Sequence, residues 1–246
     1  MIVRIVRIVV LVLLLAIVGF VIFLRITPEG RETGKDLAER WQEIRHGGEA
    51  RDAGQKLIAM KVRLGTLQPD PSYVTLDCSN QSLGDEGFRL VGKCFHLKAA
   101  SFIHTDLNDD RMKYLANLTR LASLTIAETP ALTDAGIKYV ASMPEMESLL
   151  LRDTGVGDDS LKLFGRLSEL RALDLSSTRV TDAGLPALSG LKKLQWLVLM
   201  DVPVTDDGVV KLQGLSSLKQ LTLRGSKVTA KGKEQLLKMY PGLTID

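Results

Sequence analysis

Six aspartates, Asp85, Asp109, Asp134, Asp158, Asp182 and Asp206, recur at a spacing of 24 residues that stretches once to 25. Glu86, Asp110, Asp159 and Asp207 follow four of them directly. Carboxylates stacked once per turn of a repeating structure suggest calcium, which needs several oxygens converging on one point. A local reading competes with that one. Each aspartate stands where a helix begins, and the positive end of the helix dipole favours an acid in the first turn. The local reading is preferred, and no metal is expected.

The other reactive side chains assemble into no known chemistry. His46, His96 and His104 lack metal-ligand spacing, and no Ser-His-Asp order, nucleophile elbow or glycine-rich phosphate loop is present. His104, with Asp106 nearby, reads as a polar surface histidine at the end of a strand, and Gly155 and Gly157 fall in a turn. Cys78 and Cys94 replace leucines at core positions of one repeat and read as small buried hydrophobes with free thiols. A net charge of +3, with both signs mixed along the chain and aromatics at 5%, gives no support for a nucleic-acid partner. A non-catalytic protein without a cofactor is expected.

The unit that positions the aspartates is clearest at residues 170–193, LRALDLSSTRVTDAGLPALSGLKK, followed by homologous turns from Leu194 and Leu218 and preceded by turns from Met146, Leu121, Leu97 and Tyr73. Only the turn from Leu121 is longer, by one residue near Pro130 and Ala131. A fixed period of this length is the mark of a solenoid. In LxxLxL, Leu173 and Leu175 alternate with Ala172, Asp174 and Ser176, which predicts a strand with one buried face. Val180 then closes the turn, Thr181 offers a cap and Gly184 permits close approach. Leu185, Leu188 and Leu191 give one apolar stripe on a short helix. A lone repeat cannot hide both faces, so stability has to come from stacking. In the seventh repeat Ala230, Lys231 and Lys233 replace the acidic pair and the first helix leucine, as suits a water-facing end. PGLTID is expected to add an edge strand.

The VTDAGL block and the LxxLxL frame resemble the short bacterial leucine-rich repeats, which are related to the cysteine-containing subtype found beside F-boxes in eukaryotes. Thr129, Thr154 and Thr178 stand where that eukaryotic subtype has cysteine. The resemblance implies an α/β solenoid with parallel strands on its concave face and short helices on its convex face. It also implies a protein-binding arc and no chemistry.

Residues 1–27 form the second strong signal. Ile8 to Leu24 is a run of 17 residues without a charge, about 25 Å as a helix, and it spans a bilayer if Arg4 and Arg7 snorkel. An uncleaved signal-anchor is expected, with the amino terminus in the cytoplasm and the repeats outside. Residues 28–48 read as a juxtamembrane linker, and 49–72 as an amino-terminal cap of one helix and a hairpin. Seven repeats and a terminal edge strand fill 73–246. The expected function is a membrane-anchored recognition module for a protein or envelope component. The alternatives are a cytoplasm-facing scaffold and a self-packing structural envelope protein.

The expected partner site lies on the outward strand positions. In early repeats these are small or polar, as in Thr75, Ala99, Ser101, Ser123 and Thr125. The sixth repeat instead presents Trp196, Val198 and Met200, with Leu150, Arg152 and Asp174 to one side and Thr222 and Arg224 to the other. An aromatic and aliphatic cluster rimmed by Arg and Asp has the composition of a binding hot spot.

Overall fold

The alternation of leucine with small or polar residues, repeated seven times, becomes a parallel sheet in the computed structural model, which describes residues 48–66 and 73–246. The expected membrane helix, nearly all of the linker and the QPDP turn at 68–71 lie outside the described residues. Among the described residues no helix is long and apolar enough to cross a membrane.

The strands are β1 (Arg63–Thr66), β2 (Tyr73–Asp77), β3 (Ala99–Ile103), β4 (Ser123–Ala127), β5 (Thr129–Thr133), β6 (Ser148–Leu150), β7 (Thr154–Gly155), β8 (Ala172–Asp174), β9 (Trp196–Val198), β10 (Gln220–Thr222) and β11 (Thr244–Ile245). Nine of them form one sheet in the order β1-β2-β3-β4-β6-β8-β9-β10-β11. β1 is antiparallel to β2 and every later neighbour is parallel. β5 and β7 make a separate two-stranded ribbon beyond the strand ends. The extra residue near Pro130 is absorbed there.

Register follows the repeat. Leu76, Ala100, Leu124, Leu149, Leu173, Leu197, Leu221 and Ile245 are consecutive partners in one inward row. From Leu124 to Leu221 that row is at most 1% exposed. It meets the stripes from the opposite side, among them Leu185, Leu188 and Leu191, all at 0%. Burying each such leucine is worth about 1.5 to 3 kcal/mol. Strands stack about 4.8 Å apart whereas helices need about 8 to 10 Å, so the stack bends with the sheet on its inner side.

The convex side departs from a simple row of α-helices. Among the described repeats, only the helices Gly84–Lys93 and Ala230–Met239 reach ten residues. Asp109–Met112 and Asp134–Ile137 are single α-turns that pass into 3-10 helices at Lys113–Asn117 and Lys138–Ser142. In the fifth repeat only a 3-10 segment, Leu185–Gly190, forms. An α-helix begun at Asp182 would need an N–H from residue 186 for the Asp182 carbonyl, and Pro186 has none. The 3-10 form also covers more distance per residue, which suits a short period.

At the amino-terminal end, residues 48–59 are helical and turn Ala50, Ala53 and Leu57 inward, leaving Ile58 exposed. At the carboxyl-terminal end, Leu236 is buried while Leu237 faces water. β11 pairs with β10 as the final strand.

Candidate protein-interaction face

Five of the six aspartates, Asp85, Asp109, Asp134, Asp158 and Asp206, stand in the first turn of their own helix, as the local reading expects. Among the described residues, no three His, Cys, Asp or Glu side chains converge. The same acids have a second role, which the sequence reading did not include. Asp109 accepts from the backbone N–H of Thr133 at 2.7 Å, the Thr133 hydroxyl at 2.6 Å and the N–H of Gly136 at 3.0 Å. Asp158 takes the N–H and hydroxyl of Thr181, Asp182 those of Thr205, and Asp206 those of Thr229. The acid of one repeat therefore fastens the turn of the next.

This pin explains the whole T-D-x-G block. Threonine supplies two donors backward, aspartate accepts forward, and glycine leaves room for the carboxylate arriving from the preceding repeat. A Cβ on Gly136 would stand 2.5 Å from Asp109 Oδ1, and Gly184, Gly208 and Gly232 face Asp158, Asp182 and Asp206 in the same way. Where Ser160 replaces that glycine, its hydroxyl donates to Asp134. In the second repeat Asn108 stands in place of the threonine, and Asp85 of the first repeat pairs instead with Arg111 at 2.9 Å. The hydroxyls of Asp206's partner, Thr229, and then its backbone N–H hold the Asp206 carboxyl below the ordinary carboxylate range. The column was visible in the sequence, but its direction was not. The available signal was the offset of 23 residues from Asp158, Asp182 and Asp206 to the next Thr.

His104 and Asp106 line one cleft but take different partners. The His104 Nδ1 atom lies 3.7 Å from Glu128 Oε2. Both residues occupy the left-handed region, with φ of 52° and 53°. They line an open cleft of about 380 Å³ with Asn80, Gln81, Ser82, Thr105 and Asp106. Burial pushes the Asp106 carboxyl up, but the Leu83 and Gly84 N–H groups, the Ser82 hydroxyl and Arg111 outweigh it and leave it low. Asp106 is thus a structural pin as well. Cys78 and Cys94 are buried free thiols whose pKa values burial raises to about 12, which makes them poor nucleophiles.

The outward sheet face is ordered by the same register. One row runs Ala99, Ser123, Ser148, Ala172, Trp196, Gln220, and the next runs Ser101, Thr125, Leu150, Asp174, Val198, Thr222. Beyond the strand ends the hydrogen bonds continue, with the N–H groups of Glu128, Asp153, Ser177 and Asp201 donating to the carbonyls of Arg152, Ser176, Met200 and Arg224. That places Arg152, Ser176, Met200 and Arg224 in a third row. Trp196 is 44% exposed, with only small or polar neighbours in its own row. Val198, Met200, Leu150 and Thr222 are half-buried, and Arg152 and Arg224 are exposed. Asp174 is held in place, accepting from the Ser176 N–H and hydroxyl.

Residues 168–189 match a family model described as Leucine Rich repeat. The stacked strand-and-turn units have the leucine-rich-repeat fold. Among solved structures, the chain is similar to internalin C2 of Listeria monocytogenes, with 24% identity over 70% of this chain and 69% of that one and a TM-score of 0.55. That likeness speaks to the fold. A leucine-rich-repeat protein of Leptospira interrogans is 21% identical over 64% of this chain, with a TM-score of 0.48. Internalin F of Listeria monocytogenes is 20% identical over 64%, also with a TM-score of 0.48. The chain spans 38% and 50% of the lengths of these last two. No curated protein matches it.

Proposed function

We propose that this chain is a non-catalytic recognition module that holds a protein partner against the outward face of β6, β8, β9 and β10. The observation that carries the reading is Trp196, a large aromatic ring 44% exposed in a row whose other members, Ala99, Ser123, Ser148, Ala172 and Gln220, are small or polar. Trp is costly to leave in water and is enriched at the centres of binding surfaces. Val198, Met200, Leu150 and Thr222 extend the apolar surface, while Arg152, Asp174 and Arg224 supply directional contacts.

Residues 1–27 anchor the module in a membrane as a signal-anchor, and the repeats stand outside the cytoplasmic membrane. The composition of that segment supports this part of the proposal. Affinity capture with the full chain, compared with its Trp196→Ala variant, tests the recognition surface. Partners retained by the first and lost by the second are expected, and identical captures would refute it. Protease added to cells with the outer layer opened tests the topology. Cleavage of the repeats is expected, whereas full protection would favour a cytoplasm-facing scaffold.

A further inference from the structure

We propose that the segment received on this face is acidic and extended, with two carboxylates four residues apart and an apolar side chain midway between them. This rests on the proposed recognition surface and adds the chemistry of its partner. Several charges of the stack are neutralised within the chain. Lys98 pairs with Glu145 at 2.8 Å, Lys193 with Glu169 at 2.7 Å and Arg171 with Glu147 at 3.5 Å. On the sheet face itself Arg63 pairs with Asp77 at 2.5 Å, and Asp174 is satisfied by Ser176. Arg152 and Arg224 have no such partner. Both are exposed, and among the described residues neither has an ion pair or hydrogen bond through its guanidinium. Asp153 and Asp201 stand in the following turns with left-handed φ of 51° and 53° and pair with neither arginine.

The two guanidinium groups belong to one row, with Ser176 and Met200 between them. Three strand spacings put their backbones about 14 Å apart. An extended chain crossing the strands rises about 3.4 Å per residue, so its residues i and i+4 match that distance and i+2 points to the same side. The i+2 side chain then arrives between Ser176 and Met200, within reach of Val198. Arg favours carboxylates through paired N–H donors, and an acidic segment places one at each end. A nucleic-acid strand fits less well, because its charges are spaced more closely and two cations give little counterion release.

The test uses the full chain as bait for a random library of short displayed peptides, followed by titration of a synthetic enriched peptide. The expected result is enrichment of acid-x-apolar-x-acid sequences. Binding should weaken about tenfold or more in Arg152→Glu/Arg224→Glu and also weaken as salt rises. A peptide with both acids replaced by lysine should regain affinity for that double variant. Because both arginines are exposed and unpaired, an unchanged melting temperature is expected for it. Enriched peptides that need Trp196 but carry no acid pair, or that bind the double variant equally well, would overturn the acidic inference and leave the recognition surface standing. Failure to enrich any Trp196-dependent peptide would remove both. A single-stranded oligonucleotide that displaces the peptide at equal affinity would also overturn the inference, by showing a general polyanion site.

Discussion

The aspartate column and the outward face of β6 to β10 are both polar features repeated along one stack, yet they use their side chains in opposite ways. In the column the carboxylates accept from donors inside the chain: Asp158 from Thr181, Asp182 from Thr205, Asp206 from Thr229. On the face, Trp196 is exposed and Arg152 and Arg224 stand unpaired. Regular recurrence is therefore a sign of internal fastening. Departure from it, as where Trp196 follows Ala99, Ser123, Ser148 and Ala172 in one row, is the better sign of a site.

Breaking the column should produce the largest effect. Gly208→Ala drives a methyl group into the Asp182 carboxylate, and overpacking of this kind costs about 1 to 3 kcal/mol. Asp182→Ala removes the acceptor of two Thr205 donors and costs about 1 to 3 kcal/mol. In a chemical-denaturation cycle, Gly208→Ala should cost clearly less once Asp182 is already alanine. Additive losses would mean that the glycine is present for another reason.

Acid sharpens the same comparison. The Asp206 carboxyl sits below its ordinary value in the folded chain, mainly through the Thr229 hydroxyl. Its contribution is therefore complete above the unfolded carboxylate pKa of about 4, and it is lost as pH falls through the folded value. Melting temperatures should fall in that acid range, and Asp206→Asn should reduce the fall. A variant whose acid dependence matches the parent would exclude Asp206 as a contributor.

The smallest effect concerns the turns between the two regions. Asn80, His104, Glu128, Asp153, Ser177 and Asp201 each take a left-handed backbone in the turn after a sheet strand. A side chain there costs about 1 kcal/mol or more, part of which glycine returns in flexibility. Ser177→Gly should raise stability by up to about 1 kcal/mol, measured by denaturation. A loss would show that the serine side chain contributes more than its strain.

Much of this was legible in the sequence because a period of 24 residues states the register directly. The leucine rows, the outward rows and the position of Trp196 follow from it. Three things were not. The aspartates' partners lie one repeat away, and no single repeat contains the contact. The convex segments depend on local details such as Pro186, so their 3-10 form is hidden by an otherwise helical stripe. Glu128 facing His104 was missed although it stands one 24-residue period on, because His104 was read beside Asp106, its neighbour in sequence.

The central claim is that the column holds the stack together while the exposed face does the binding. Titration of the full chain and its Trp196→Ala variant against the same captured partner, with the melting temperature of each, tests it most directly. The account predicts an affinity loss of about 2 kcal/mol or more with little change in melting temperature. Unchanged affinity, or a loss that only accompanies unfolding, would contradict it.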